Sequence, residues 1–280
     1  MKNGLFTVRS ELYLAASNPY LPHMKHMLAA LVAAVTFQLS TAPLAHAQTA
    51  TYIGPRYSGG PDSLRALVYR CTRLAASAPA GRMAVEFELL NGQKPRNFKL
   101  LSGSASANAE LVKAGATTLA YLQAHMLDWQ AGVTDKRSVL SGQNPKLALV
   151  LEFSPSSISS RPYAYADQNP VLSAPVVPGR GRSRPTPIYS TPDLVGQIQR
   201  QTRYPGKALQ EMRMGVVYVA FEVAENGAIE RPEVLGTVSP ELDAETLLVV
   251  SSLPPATAPA LLRDRPVRVA YVLPITFRIQ

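Results

Sequence analysis

The sequence is poor in the side chains that most often carry out chemistry. Its 280 residues include one cysteine, Cys71, and four histidines, three of which precede Gln48. A single cysteine excludes an intramolecular disulfide and any site built from several cysteines. We therefore expect no disulfide framework, no zinc or iron–sulfur site and no cofactor.

The sequence also lacks the common motifs of enzyme active sites. It contains no HExxH, P-loop, GxSxG or GxGxxG pattern. If the N-terminal segment is removed, a Ser-His-Asp or Cys-His hydrolase could use only His125 as its base. Because His125 lies in an apolar helical stretch, we interpret it as a structural residue and predict that the protein is not an enzyme.

Long hydrophobic runs are scarce, and the longest lies near the N-terminus. Residues 24–47 contain Lys25, an apolar run from Leu28 to Leu39 and a small-residue ending at Ala47, which is typical of a cleaved signal peptide. The run is short for a membrane-spanning helix, which needs about 20 apolar residues. We predict export to the periplasm with cleavage before Gln48, and we interpret residues 1–23 as a non-native upstream extension. An uncleaved anchor in the inner membrane is the alternative.

The net charge of +9 does not indicate a nucleic-acid-binding protein, because the basic residues are not clustered with aromatic ones. Residues 155–190 are rich in proline and arginine and predict a semi-extended, solvated linker. This segment divides the chain into a first domain, residues 48–154, and a second domain, residues 191–280.

The two domains look like copies of each other. Strand-like alternation over Gly81–Leu89 recurs over Gly215–Val223, and each run is followed by an Asn-Gly pair that favours a hairpin turn. A helical stripe that contains Leu242 and Val249 recurs in the first domain at a constant separation. Ser239 is placed to cap the helix of the second copy. A further alternating strand closes each domain, at 147–153 and 267–277.

Proline placement predicts the order of the strands. Pro95 and Pro232 interrupt the second strand of each copy, whereas neither first strand contains proline. Since proline cannot donate to a ladder, the first strand should be central. The predicted fold class is α+β, with a three-stranded antiparallel sheet of order 2-1-3 in each domain and two helices on one face. The last strand of the second domain would then have an open edge, unless the linker, the other copy or a homodimer partner covers it.

The second domain resembles the C-terminal domain of TonB-type energy transducers. The resemblance rests on Tyr204-Pro205, the alternating strand that starts at Gly215, Asn226-Gly227, Leu253-Pro254 and the closing run from Arg265 to Arg278. Residues 56–153 resemble a degenerate copy that lacks the Tyr-Pro pair and keeps Trp129. The fold prediction is therefore two tandem TonB C-terminal-like domains.

The resemblance implies a periplasmic module that binds an extended segment of an outer-membrane TonB-dependent transporter, or of another envelope protein, beside the last strand. Main-chain pairing at a sheet edge is a known mode of peptide recognition. The partner-binding residues that it implies are Tyr204, Pro205, Val267, Arg268, Val269, Ala270, Tyr271, Val272 and Leu273.

Two other functions remain open. An uncleaved anchor would make the protein a membrane-anchored energy transducer that also meets an inner-membrane motor complex. Alternatively, the protein is a structural envelope protein that associates with itself.

Overall fold

We analysed a computed structural model of the chain. It describes residues 50–52, 54–75, 78–101, 103, 108–134, 137–138, 144–180, 187–188 and 190–279. The predicted upstream extension and signal peptide, residues 1–23 and 24–47, lie outside the described residues. Within the described ranges, no helix is long and apolar enough to cross a membrane.

The described residues form five α-helices and sixteen strands, with one 3₁₀ turn at Ile158–Ser160. The helices are α1 Gly60–Arg73, α2 Ala109–His125, α3 Thr191–Gln201, α4 Gly206–Gln210 and α5 Pro240–Ser251. The long strands are β3 Gly81–Leu90, β4 Lys94–Leu101, β8 Lys146–Phe153, β12 Gly215–Val223, β13 Ile229–Gly236 and β16 Val269–Phe277. The short ones are β1 Ala50–Thr51, β2 Arg56–Tyr57, β5 Trp129–Gln130, β6 Val133–Thr134, β7 Arg137–Ser138, β9 Gln168–Asn169, β10 Leu172–Ser173, β11 Pro187–Ile188, β14 Ala260–Leu262 and β15 Arg265–Val267.

The first half contains an antiparallel sheet of order β4-β3-β8 with α1 and α2 on one face. The alternation of β3 places Met83, Val85 and Phe87 in a core with Leu64 of α1 and Leu122 of α2. The turn between β3 and β4 has positive φ at both Asn91 and Gly92, as the Asn-Gly signal predicts.

The second half contains an antiparallel sheet of order β13-β12-β16, with its core between this sheet and α3, α4 and α5. The predicted cap of α5 is confirmed, because the Ser239 side chain accepts a hydrogen bond from the Leu242 N–H and Pro240 opens the helix. The turn after β12 differs from its counterpart. Only Gly227 has positive φ there, and the Asn226 side chain accepts a hydrogen bond from the Ala228 N–H.

The two sheets share their irregularities as well as their order. Gly81 pairs with Phe153 at one end of the first sheet, and Gly215 pairs with Phe277 in the second. The first strand of each half shifts register against the second, between Glu86 and Glu88 in one case and between Ala220 and Glu222 in the other.

A residue with left-handed backbone lies within each register shift on the second strand. These residues are Asn97 (φ 53°) and Arg231 (φ 54°), and the separation between them along the chain equals that between Gly81 and Gly215. A bulge with the same backbone conformation therefore occurs at the same position in both sheets.

The sheet faces that lie away from the helices pack against each other. Ala84 and Leu101 of the first sheet contact Ala220 and Leu235 of the second, and Val272 of β16 packs beside them. Small side chains at these positions allow the sheets to approach closely. The order of layers is therefore helices, sheet, sheet, helices.

The prediction of a solvated linker was wrong for most of the described residues between 155 and 190. Tyr163, Tyr165 and Leu172 are buried, and Leu172 and Ile188 join the core of the second half. The segment also forms β9, which pairs with β1 and β14, and β10, which pairs with β11. The prediction relied on the proline content and overlooked the aliphatic and aromatic side chains of the segment. These side chains cover apolar surface of both halves, and burial of that surface favours the packed state.

Candidate functional site

The Tyr204-Pro205 pair lies at one end of β16. The ring of Tyr204 meets the ring of Phe277 edge to face, with centroids 5.6 Å apart, and its hydroxyl donates to the Arg213 carbonyl. Pro205 precedes α4, and its carbonyl accepts a hydrogen bond of 2.9 Å from the Leu209 N–H. The pair thus connects α3 to α4 and packs on the sheet.

The predicted stretch from Val267 to Leu273 is two strands rather than one. Val267 belongs to β15 and pairs with Ala260, and β16 begins at Val269. Strands rise about 3.3 Å per residue, so the length of β16 separates Val269 from Phe277 by roughly 26 Å. The structure therefore places the Tyr204-Pro205 pair and Val267 at opposite ends of β16.

The backbone groups of β16 face alternately towards β12 and away from it. The backbone groups of Val269, Tyr271 and Leu273 point towards β12. The Arg268 carbonyl and the Ala270 N–H point to the other side. By the same alternation, Val272 also faces away from β12.

The edge of β16 was predicted to be open, and this was wrong at Arg268 and Ala270. Tyr163 bridges there in parallel: its N–H donates to the Arg268 carbonyl (2.8 Å), and the Ala270 N–H donates to its carbonyl (2.9 Å). We call residues 161–165 the strap. Among the alternatives that the sequence left open, the linker segment is the one that lies on this edge.

The side chain of Tyr163 ties the strap to the first half. Its hydroxyl donates to Asp62 Oδ1 at 2.8 Å, and the Arg65 guanidinium lies 3.9 Å from the centre of its ring. The hydrogen bond from Tyr163 is the main cause that lowers the pKa of Asp62. A sequence signal for the strap existed, because Arg161, Tyr163 and Tyr165 alternate like the buried side of a strand.

The side chains of the predicted stretch are mostly engaged within the protein. Tyr271 stacks on Phe221 with ring centroids 5.4 Å apart, and burial raises the pKa of its phenol. Leu273 is fully buried in the core of the second half, and Val272 lies between the sheets. These side chains therefore stabilise the fold, and the backbone of β16 is the part suited to pairing with another strand.

Arg268 belongs to a cluster of charges between the two sheets. The carboxylate of Glu222, 1% exposed, lies within 3.3 Å of the guanidinium groups of Arg82, Arg231 and Arg268. Glu152 of β8 accepts two hydrogen bonds of 3.1 Å from Arg231. Sequence reasoning missed this cluster because its members are distant along the chain.

Two further groups were candidates for chemistry. Burial raises the pKa of the Cys71 thiol to about 12, so the thiol is protonated at neutral pH. His125 is exposed at the end of α2, where its ring stacks on Tyr121 and its Nδ1 lies 2.9 Å from the Tyr121 carbonyl. Over the described residues, no group of three His, Cys, Asp or Glu side chains is arranged to hold a metal ion.

The second half thus belongs to the class of small α+β domains in which an edge strand of a three-stranded antiparallel sheet pairs with a further segment. Residues 200–279 match the family described as Gram-negative bacterial TonB protein C-terminal. This match supports a TonB C-terminal domain in this part of the chain. Comparisons with curated proteins and with solved structures found no match.

Proposed function

We propose that the protein is an exported, TonB-like binding module of the cell envelope. It binds an extended segment of an outer-membrane TonB-dependent transporter, or of a related envelope protein, by strand addition at β16. The observation that carries the proposal is that β16 is an edge strand of the domain that matches the TonB family, and that its outward backbone groups already bind a strand-like segment. Main-chain pairing of this kind supplies affinity, and neighbouring side chains supply selectivity.

Access to the edge requires release of the strap. Tyr163 holds Arg268 and Ala270 through two backbone hydrogen bonds, so an incoming segment competes for these groups or pairs first at Val272. A typical hydrogen bond contributes about 0.5–1.5 kcal/mol net, and the Tyr163 side chain adds its bond to Asp62. Displacement of Tyr163 costs these three hydrogen bonds, and Arg161 and Tyr165 hold the strap through further contacts, so an incoming strand must form more bonds along β16 than it breaks.

We also propose that residues 56–153 are a second, degenerate copy of the same domain. The shared sheet order, terminal Gly–Phe pair, register shift and left-handed residue support a common origin for the two halves. Within this proposal residues 155–190 connect the copies, and the protein is periplasmic after cleavage before Gln48. N-terminal sequencing of the exported protein tests the cleavage site, and a start at any other residue contradicts it.

Fluorescence anisotropy with labelled N-terminal peptides of TonB-dependent transporters tests the binding. We expect binding to the wild-type chain, and tighter binding by about tenfold when Tyr163→Ala removes the anchor of the strap, because about 1.4 kcal/mol of competition is lost. Val272→Pro should abolish binding because it removes an outward N–H, whereas Val272→Thr keeps that group and should retain it. Absence of binding to both the wild type and Tyr163→Ala would overturn the proposal.

A further inference from the structure

A narrow cleft lies beside β8, the last strand of the first half. Its walls are α1, β8 and the strap, and it has about 40 Å³ of free volume. A water molecule needs about 10–15 Å³ on this measure, so the cleft admits one short side chain rather than a cofactor. Leu64 and Val68 of α1 supply its apolar wall.

The backbone groups of β8 face alternately towards β3 and away from it. The sheet order β4-β3-β8 gives β8 one partner strand. The Leu89 N–H donates to the Pro145 carbonyl at 2.9 Å. In an antiparallel pair this means that the backbone groups of the odd-numbered residues of β8 point towards β3. The N–H and carbonyl groups of Ala148, Val150 and Glu152 consequently face the cleft side.

These outward groups are available for pairing within the described part of the chain. No backbone hydrogen bond between described residues joins Ala148 or Val150 to a segment other than β3. Both residues are only half-buried and line the cleft. An edge with free backbone groups is a template for an additional strand.

The cleft also holds a buried cation with spare hydrogen-bonding capacity. Arg161 is 7% exposed, and its Nη2 donates to the Ser154 carbonyl at 3.0 Å. Its Nη1 lies 3.2 Å from Glu152 Oε2, yet Nε and Nη1 have no hydrogen-bond partner among the described residues. Buried donors of a charged group are normally satisfied, so this arrangement favours a ligand with acceptor oxygens.

The charge balance of the cleft favours an acidic occupant. Arg65 also lines it, and its buried Nε has no partner among the described residues. The carboxylate opposite, Glu152, is shared with Arg231. In the ion pairs around the cleft, four guanidinium groups (Arg65, Arg161, Arg231 and Arg263) thus share two carboxylates, Glu152 and Asp62.

We propose that the β8 edge binds an extended peptide segment of another protein through its backbone, with an Asp or Glu side chain of the peptide in the cleft beside Arg161 and Arg65. The carboxylate would accept hydrogen bonds from Nε of Arg161 and Nε of Arg65, which have no hydrogen-bond partner among the described residues. This second binding surface is formed mainly by α1, β8 and the strap, and among its lining residues only Ala270 lies in the part of the chain that matches the TonB family.

Two synthetic peptides test the proposal by anisotropy with the full chain: a labelled ten-residue peptide of alternating valine and threonine with one central glutamate, and its glutamine counterpart. We expect the glutamate peptide to bind at least tenfold more tightly. Ala148→Pro, which removes an outward N–H, should abolish its binding, whereas Ala148→Val keeps the N–H and should preserve binding. Arg65→Gln should weaken binding of the glutamate peptide and leave the glutamine peptide unchanged.

Protection of the Val150 amide from hydrogen exchange on peptide addition gives a second readout that is independent of the variants. No binding of the glutamate peptide, equal binding of the two peptides, or indifference to Ala148→Pro overturns the proposal. A dimer of the free chain that Ala148→Pro dissociates would also overturn it, since a second copy would then occupy the edge. Val272→Pro should leave this binding intact, so failure here is distinguishable from failure at β16.

Discussion

Glu222 connects the two sheets through ion pairs. Its buried carboxylate is shared by three arginines, of which Arg82 comes from the first half, whereas Arg231 and Arg268 come from the second. Removal of one partner from a buried ionic cluster costs more than the pairing itself contributes, because charges of one sign are left without compensation.

We predict that Glu222→Gln lowers the free energy of unfolding by about 3 kcal/mol, since it removes the buried carboxylate that the buried Arg82 shares with Arg231 and Arg268. Chemical denaturation followed by circular dichroism measures the change. Glu211→Gln is the matched control: Glu211 and its partner Arg213 are exposed, so the effect should stay within about 0.5 kcal/mol. An equal effect of the two substitutions would contradict this role of the cluster.

Glu152 makes the same interface sensitive to acid. Burial alone would raise the pKa of this carboxyl, but hydrogen bonds from Arg231 and the nearby charges of Arg231, Arg161 and Arg82 together lower it below 4.5. A carboxyl with a lowered pKa in the folded state stabilises the fold above its unfolded pKa, and this contribution is lost as the pH falls through the folded value.

We therefore predict that Glu152→Gln destabilises the protein by a constant amount above about pH 4.5, and that its difference from the wild type shrinks at lower pH. Urea denaturation at a series of pH values measures both proteins. A difference that grows on acidification would show that Glu152 is not held as a carboxylate by these arginines.

At the scale of elements, three of the five described helices begin where a short polar side chain accepts a hydrogen bond from their first N–H groups. Asn108 opens α2, and its Oδ1 accepts hydrogen bonds from the Glu110 and Leu111 N–H groups at 3.0 and 3.3 Å. Leu111 and Leu122 of this helix are buried in the core of the first half. The cap therefore fixes the end of a helix on which that core depends.

We predict that Asn108→Ala lowers the free energy of unfolding by about 1 kcal/mol, because two helix N–H groups lose their acceptor. Asn108→Ser keeps a capping oxygen and should cost only a few tenths of that amount. Thermal unfolding followed by circular dichroism compares the two. Equal losses would indicate that Asn108 acts through packing rather than as a cap.

Local patterns predicted the elements that depend on local forces. The alternation in β3 and β12, the cap at Ser239 and the Asn91-Gly92 turn each depend on neighbours in the sequence. The strap has a local signal in the alternation of Arg161, Tyr163 and Tyr165, but the proline content around it is typical of a solvated segment and outweighed that signal. Tyr163 is buried only because β16 and Asp62, both distant along the chain, come together around it.

At the scale of the whole molecule, the stacked sheets make the two halves depend on each other. The alternating residues Arg82, Ala84 and Glu86 of β3 have charged or small side chains. From the sequence alone, this face of the strand is therefore predicted to be exposed to solvent. Its partners on the second sheet are more than a hundred residues away along the chain. Arg82 donates a hydrogen bond to Glu222, and the Tyr218 hydroxyl donates one to Glu86. Such long-range pairing leaves no local signal.

The stacked sheets predict a single cooperative unfolding transition for both halves. Leu235 lies in the second half, is 1% exposed and packs between the sheets, so Leu235→Ala should cost about 2–4 kcal/mol. Trp129, the only tryptophan of the chain, lies in the first half and reports on that half alone in fluorescence. We expect Leu235→Ala to lower the denaturation midpoint seen by Trp129 as much as the midpoint seen by circular dichroism.

Leu248→Ala is the control for this prediction, because Leu248 is 49% exposed on α5 and should shift neither midpoint appreciably. If Leu235→Ala moves the circular dichroism midpoint and leaves that of Trp129 in place, the halves unfold independently and the stacked sheets do not couple them. Coincident shifts would instead mean that the two halves unfold as one cooperative unit through the stacked sheets.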